Sequence, residues 1–395
     1  MIGDEDKGQT RSEWWLSKRG KIARPRLPTG DFTFRIVTST PNETFPLPLG
    51  TSSDYVQNFI IDWGDSYLDT ITSYDDPNKT HTYANAGTYD ITMSGVCEYF
   101  GFNGITSSAR KVTEVILLSS DMGFKVLNFF GCYDLVSVDS SLSNMASLET
   151  LSNFFRECHN LISIPQGLFD NCINVNSLSA CFAECQSIKS IPIGIFDNCT
   201  LATSATICFY DCHGLTSILS GLFDNNTLIT TFRDCFRDCK NLKTIPIGLF
   251  DSNTLVNTFE GCFRYCRVLQ SIPNGLFDNN VIVTTFKQCF DNDNLLETIP
   301  IGLFDNCTLV TSFDECFQNC RAFQYIPIGL FDYNTLVTTF KYCFYNCSGI
   351  TSIPAGLFDY NTLVTTFESC FVGFKITTIP TGLFDNNTLV TTFAS

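Results

Sequence analysis

From about residue 155 to its end, the chain repeats one pattern every 27 residues. The clearest mark is the Asp of the phrase (Leu/Ile)-Phe-Asp, which returns in seven equal steps and a final step of 26 residues. A fixed period between about 20 and 50 residues is typical of stacked repeats, in which each unit buries its apolar face against its neighbours. The chain is therefore expected to be a scaffold that presents a surface. The nine aspartates are Asp170, Asp197, Asp224, Asp251, Asp278, Asp305, Asp332, Asp359 and Asp385.

One repeat unit contains two patterns. Its apolar residues at i, i+4, i+7, i+8 and i+11 predict one face of a helix of about three turns. Residues 244–247 then alternate, with Ile245 and Ile247 expected to point inward, which predicts a very short strand. One helix and one strand per 27 residues predict an α/β solenoid, leucine-rich-repeat-like, with a parallel sheet on one side. The helical stripe comprises Leu228, Phe232, Cys235, Phe236 and Cys239.

Two phrases of the repeat resemble a known family. Cys-Phe-x-x-Cys-x-x-Leu-x-x-Ile-Pro and Gly-Leu-Phe-Asp recur between about residues 125 and 395. They are similar to the BspA-like leucine-rich repeats of bacterial surface proteins, especially those of gut bacteria and their phages. The resemblance implies adhesion and recognition, and no catalytic role. Three coils depart from the pattern, with Leu219 in place of Pro, Asp293 in place of the second Cys, and a one-residue deletion near Val372.

The 20 cysteines allow three interpretations: disulfides, metal ligands or buried free thiols. A metal site is disfavoured because only three histidines accompany the cysteines. Disulfides are disfavoured because Phe154, Asp293 and Phe374 occupy cysteine positions of their coils or lie beside them. Buried free thiols that act as small apolar groups are therefore favoured. Free thiols, together with no leader-like apolar segment in the first 30 residues, favour folding in a reducing cytoplasm.

The N-terminal third differs in texture from the repeats. Residues 31–113 contain short alternating runs separated by turn residues, which predicts an all-β immunoglobulin-like sandwich. The string Ile-Asp-Trp-Gly-Asp over residues 61–65 resembles the PKD-like domain, although Ser66 stands where that family usually has Gly. Residues 114–150 are expected to form a cap and the first irregular coils, and residues 151–395 the solenoid. Four aspartates could bind calcium, but carboxylates in surface turns are favoured because no regular calcium loop is present: Asp62, Asp65, Asp75 and Asp76.

Residues 1–30 are expected to form an extended basic arm. Residues 11–26 carry six basic side chains against one acid, Glu13, for a net charge of +5. A solvated tail is one interpretation. Two adjacent tryptophans beside a basic cluster favour the other, an anchor onto an acidic or aromatic-lined surface. The candidate anchor residues are Trp14, Trp15, Lys18, Arg19, Lys21, Arg24 and Arg26.

Two further sets of binding residues follow from the repeat. The outward column of the predicted sheet is small and uncharged except at Tyr325 and its neighbour Gln324, and distinctive side chains of this kind anchor ligands. At the other set, Phe384, Leu389 and Phe393 are expected to be partly bare, because no polar capping repeat follows them. A neighbouring subunit or partner is expected to cover them, which predicts a homo-oligomer or a bound subunit.

Composition and motifs narrow the class of function. A net charge of −16 argues against nucleic-acid binding, and no apolar run approaches membrane-spanning length. No catalytic spacing or cofactor loop stands out, so no enzyme, cofactor or metal is expected. The favoured hypothesis is a virion structural protein, a phage fibre or capsid-decoration protein that folds in the host cytoplasm. Its arm would bind other virion or surface-assembly proteins, and its solenoid a host-surface protein or glycan. A bacterial cell-surface adhesin and a cytoplasmic protein-binding scaffold remain alternatives.

Overall fold

Among the described residues, ten strands lie in the N-terminal part of the chain, and stacked turns follow them. The computed structural model describes residues 31–102, 106–118, 122–139 and 145–393. Within these ranges the helical segments are a 3-10 turn at Pro77–Lys79 and one α-helical turn, α1, at Thr106–Ala109. The strands are β1 (Asp31–Thr38), β2 (Glu43–Pro46), β3 (Gln57–Asp62), β4 (Leu68–Ile71), β5 (Thr80–Tyr83), β6 (Gly87–Cys97), β7 (Tyr99–Gly101), β8 (Val112–Leu118), β9 (Val126–Asn128) and β10 (Ser137–Val138).

Six strands form the main sheet in the order β10-β8-β1-β6-β3-β4. All its pairs are antiparallel except β10 with β8, which is parallel. In β3 the side chains of Gln57, Phe59 and Ile61 are buried while those between them are more exposed, as period-two alternation requires. Two small sheets complete this region, β2 with β5 antiparallel and β7 with β9 parallel.

One hydrophobic core continues from the main sheet into the coils. Phe32 of β1 packs edge-on against Phe100 and Phe129, with ring centroids 5.1 and 6.3 Å apart. Phe129 stacks on Phe155 at 5.6 Å, and Phe155 stacks on Phe182 of the next coil at 5.7 Å. The parallel pairs β8–β10 and β7–β9 join the two regions through their backbones as well.

The predicted α/β solenoid is wrong, because the described part of the coils contains no helix where the apolar stripe predicted one. Two residues four apart in each coil have a left-handed backbone, such as Asp234 (φ 51°) and Asp238 (φ 60°). An α-helix has negative φ throughout, so these two residues exclude it. The fold is β-rich, and its coils are successions of tight turns.

Hydrogen bonds between coils explain how these turns are stabilised. The N–H of Phe236 donates to the carbonyl of Cys262 in the next coil at 2.8 Å, while the N–H of Cys235 donates to Phe232 within its own coil at 3.1 Å. Donors thus alternate between the next coil and the same coil. Isolated parallel bridges join residues 27 apart, as between Thr231 and Thr258. At the predicted short strand, the described coils show only two such bridges, between Ser217 and Thr244 and between Thr244 and Ser271.

Phenylalanine columns fill the interior of the stack. Phe236, Phe263 and Phe290 stack in register with centroids 5.6 and 5.7 Å apart and planes within 8°. Their spacing follows from the repeat, because equivalent residues in adjacent coils lie above one another. Phe232, Cys235, Phe236 and Cys239 of the predicted stripe are all buried.

Buried thiols and amides satisfy carbonyls of the preceding coils. All 20 cysteines are free and buried, as the sequence predicts. Cys266 donates its thiol to the carbonyl of Phe236 at 3.2 Å, and Cys320 donates to Phe290 at 3.1 Å. Asn253 donates its side-chain amide to the carbonyls of Phe223 and Asn226 at 3.1 and 3.0 Å. Burial raises the pKa of these thiols, so they stay protonated and can donate.

Two expectations about side-chain direction are also wrong. Ile245 is buried, but Ile247 is 79% exposed. The reason is Gly248, whose φ of 73° turns the chain outward directly after Ile247. Leu228, placed on the buried stripe, is 40% exposed, and Ile229 beside it is buried instead.

Candidate interaction surfaces

The outward column that contains Tyr325 lies on the surface. Tyr325 is 50% exposed and its neighbour Gln324 is also exposed. The other members are small hydroxyl residues, so Tyr325 is the one large side chain in this column. All of them are exposed: Ser190, Ser217, Thr244, Ser271, Thr298, Tyr325, Ser352 and Thr378.

A second surface, which the sequence interpretation missed, lies where each coil turns at its Gly-Leu-Phe-Asp phrase. Four isoleucines directly before the glycine are 71–83% exposed, and we call them the Ile ridge: Ile193, Ile247, Ile301 and Ile328. The alternation that placed Ile247 inside ends at this glycine. The signal that could have revealed the exposure is the glycine itself, since a left-handed residue marks a turn.

The nine phrase aspartates are here called the Asp ladder, and four of them lie in the coils of the Ile ridge: Asp197, Asp251, Asp305 and Asp332. In every coil, a Cβ added to the glycine would lie 2.7–3.3 Å from an Oδ2 atom of the Asp three residues later. The carboxylate therefore lies over the backbone next to the ridge position. The phenylalanine before each Asp stacks on an equivalent in at least one neighbouring coil, with centroids 6.3 Å apart for Phe250 and Phe277. The carboxylates thus follow one another from coil to coil.

The Asp ladder carries uncompensated negative charge. In the part of the chain that the structure describes, none of its nine carboxylates forms a salt bridge. The pKa of Asp305 is raised mainly by partial burial and to a smaller extent by repulsion from Asp332 and Asp278. Partial burial and repulsion from Asp359 likewise raise the pKa of Asp332. These nine residues contribute more than half of the chain's net charge of −16.

A third surface, the charged strip, alternates in sign from one coil to the next. Its members partly neutralise one another: Arg233 lies 3.6 Å from Glu260, and Lys341 lies 2.9 Å from Glu368. The charged strip thus differs from the Asp ladder, where every residue has the same sign. It consists of Arg233, Glu260, Lys287, Asp314, Lys341 and Glu368.

The last coil exposes apolar side chains, as the sequence predicts. Phe393 is 54% exposed and Leu389 51%, while Phe384 is partly buried. Phe393 stacks on Phe367 at 5.8 Å and meets Phe384 edge-on at 5.0 Å. Beside them is an open cavity of about 230 Å³, lined also by Ile379.

In the N-terminal region, an aromatic and acidic cluster surrounds Trp63. His81 stacks on Trp63 at 4.9 Å and contacts Asp65 Oδ2 through its Nε2 at 2.7 Å. The Nε1–H of Trp63 donates to Asp69 at 2.9 Å, and the hydroxyl of Tyr83 donates to the Trp63 carbonyl at 3.0 Å. Each polar tip in this cluster has a partner, so these contacts hold the buried Trp63 in one orientation.

The four aspartates considered for calcium lie mostly in turns. Asp62 accepts the N–H of Gly64 at 2.9 Å, Asp65 accepts that of Tyr67 at 3.3 Å, and Asp75 is exposed. Burial opposes ionisation of Asp76, but N–H groups of Asn78 and Thr72 outweigh it and lower the pKa of this carboxyl. Among the residues with a described placement, no three His, Cys, Asp or Glu side chains are grouped to hold a metal ion.

The candidate anchor residues of the arm, Trp14 to Arg26, lie outside the described residues. No protein-family model and no curated protein matches the chain. The resemblances to BspA-like repeats and to PKD-like domains therefore stay predictions. No helix in the described ranges is long and apolar enough to cross a membrane.

Proposed function

We propose that the protein is a non-enzymatic structural component of a virion, a phage fibre or capsid-decoration protein that displays its coils for attachment or recognition. The observation that carries this proposal is the single hydrophobic core, which runs from Phe32 in β1 to Leu383 in the last coil. A body whose neighbouring coils share aromatic columns and backbone hydrogen bonds is stiff along the stack. Stiffness of that kind suits a part that projects a surface away from its point of attachment.

The outward column supplies a surface for recognition. Its hydroxyl residues form a flat, uncharged background, against which Tyr325 and Gln324 stand out. A tyrosine ring of this kind offers apolar area and a polar tip, which suits contact with a host-surface protein or a glycan. Residues 1–30 attach the protein to other virion or surface-assembly proteins in this proposal.

Fractionation of the source culture tests the proposal. Purified particles, analysed by mass spectrometry and labelled with an antibody to this protein, are expected to contain it at a constant copy number. Deletion of residues 1–30 is expected to abolish incorporation while leaving the melting temperature of the purified protein unchanged. Recovery in the cell-envelope fraction alone, or in the cytosol alone, would contradict the proposal.

A further inference from the structure

The Ile ridge is an apolar surface without a partner in the described residues. Its four isoleucines are among the most exposed large apolar side chains of the protein. Three of them, Ile247, Ile301 and Ile328, lie within four consecutive coils. Apolar side chains grouped in this way on a surface mark a docking site when a complementary partner exists.

The Asp ladder determines which partner is complementary. Acids of the charged strip have basic neighbours, as Glu260 has Arg233 and Glu368 has Lys341. Four of the ladder carboxylates lie beside exposed isoleucines instead, and repulsion between ladder carboxylates contributes to the raised pKa values of Asp305 and Asp332. A partner that fits this surface brings several positive charges in a row and at least one large apolar side chain.

We propose that residues 11–26 of a neighbouring copy of this chain dock along the Asp ladder and the Ile ridge. This segment carries Trp14 and Trp15 for the isoleucines and a series of basic residues for the carboxylates, with a net charge of +5. The proposal rests on the proposed function, in which residues 1–30 attach the protein to its assembly, and it names the surface that receives them.

The dimensions of the two partners agree. A fully extended chain advances about 3.4 Å per residue, so a segment as long as Lys18 to Arg26, eight steps, can reach at most about 27 Å. The phenylalanines that precede the ladder aspartates lie 6.3 Å apart from one coil to the next, as for Phe250 and Phe277, so five successive carboxylates, four coil steps apart, span about 25 Å. The five basic residues between Lys18 and Arg26 can therefore each meet a carboxylate of a different coil.

Zero-length carbodiimide cross-linking of the full chain tests this contact directly. The reagent joins a lysine to a carboxylate that touches it, and mass spectrometry identifies the pair. Lys18 and Lys21 are expected to be joined to ladder aspartates. When ¹⁴N- and ¹⁵N-labelled protein are mixed, the cross-linked peptides are expected to combine both labels. Cross-links to acids of the charged strip instead, or cross-links confined to single copies, would overturn the proposal.

Matched variants of the full chain provide a second test. Asp278→Asn, Asp305→Asn and Asp332→Asn together remove three ladder charges, and Glu260→Gln, Glu297→Gln and Glu368→Gln remove three charges elsewhere on the coils. Sedimentation velocity at about 50 mM salt is expected to show self-association of the native chain, weakened at least 10-fold in Kd by the ladder variant and less than 3-fold by the control. Melting temperatures establish that each variant folds.

A variant of the Ile ridge separates apolar contact from charge. Ile247→Ser, Ile301→Ser and Ile328→Ser together are expected to weaken self-association even at about 500 mM salt, where ionic contacts are screened.

Equal Kd values for the ladder variant and its control, or no self-association at low salt, would overturn the docking proposal. Protein found in particles but not self-associating would overturn this inference alone. Self-association without recovery in particles would overturn the proposed function alone.

Discussion

Asp293 is a buried carboxyl in a position that the flanking coils give to cysteine. Its side chain is fully buried, and neither carboxyl oxygen has a hydrogen-bond partner. The pKa of Asp293 is raised well above its usual range, mainly by burial and to a smaller extent by repulsion from Asp291. The protonated form is therefore the one that suits the folded state, because burial disfavours the charged carboxylate.

Asp293→Cys is expected to stabilise the protein at pH 8 by about 1–3 kcal/mol, because it removes a buried carboxyl that has no hydrogen-bond partner and must take up a proton when the chain folds. An acid whose folded pKa is raised contributes stability below its unfolded pKa of about 4, and this stability is lost as pH rises. The gain on substitution should therefore shrink as pH falls. Thermal or chemical unfolding of both proteins between pH 5 and 8 measures it.

Neighbouring groups set the background of this experiment. Burial raises the pKa of Asp291 to about 6 despite its ion pair with Arg264, 2.8 Å away. Because of Asp291, the free energy of unfolding should still fall as pH rises from about 4 to 6 in the Asp293→Cys variant, as it does in the native protein. The thiols of Cys266, Cys289, Cys316 and Cys320 face the site in protonated form. If the free energy of unfolding of the variant changed with pH above pH 6 just as it does in the native protein, the pH dependence could not be assigned to Asp293.

Ser66 has a left-handed backbone with φ of 82°, at the position where the resembled PKD-like motif usually has glycine. A Cβ at this φ costs about 1–2 kcal/mol, and replacement of Ser66 by glycine removes this cost. Part of the gain is offset, because glycine is more flexible than serine in the unfolded chain. Ser66→Gly is expected to raise the free energy of unfolding by less than about 1 kcal/mol. Ser66→Ala, which keeps the Cβ, serves as the control and should give no comparable gain in the same denaturant titration.

At the scale of the coil, the sequence predicted which residues are buried better than it predicted their backbone. The spacing of Phe232, Cys235 and Phe236 also arises from tight turns that return the chain to the core every three or four residues. The signal that could have distinguished tight turns from a helix is the Asp, Asn or Gly found at many of the left-handed positions, such as Asp234 and Gly261. Ile207 and Tyr342 occupy equivalent positions, so side-chain preference alone could not reveal the turn.

The two isoleucines of one coil provide a matched test of this backbone. Ile245→Ala is expected to cost about 2–4 kcal/mol, because Ile245 is buried in the core. Ile247→Ala should change the free energy of unfolding by no more than about 0.5 kcal/mol, since its side chain is on the surface. Similar large losses for both substitutions in urea unfolding would support the inward alternation instead.

At the scale of the whole molecule, the thiols report on the integrity of the core. All 20 cysteines are free and buried, so native protein is expected to react with almost no alkylating reagent. Intact-mass analysis after alkylation in denaturant, without reductant, is expected to show close to 20 labels. Recovery of many unlabelled, paired cysteines would contradict both the packing and the predicted reducing compartment.

The hydrogen bonds between coils also have a direction. In one coil the N–H groups of Phe232, Asp234, Phe236 and Asp238 all donate to the following coil, while those of Thr230 and Lys243 donate to the preceding one. Every junction between coils therefore has the same polarity: the earlier coil supplies most of the donors and the later coil most of the acceptors. A further coil can extend this pairing only in the direction in which the chain already runs, since the opposite orientation would set donor against donor.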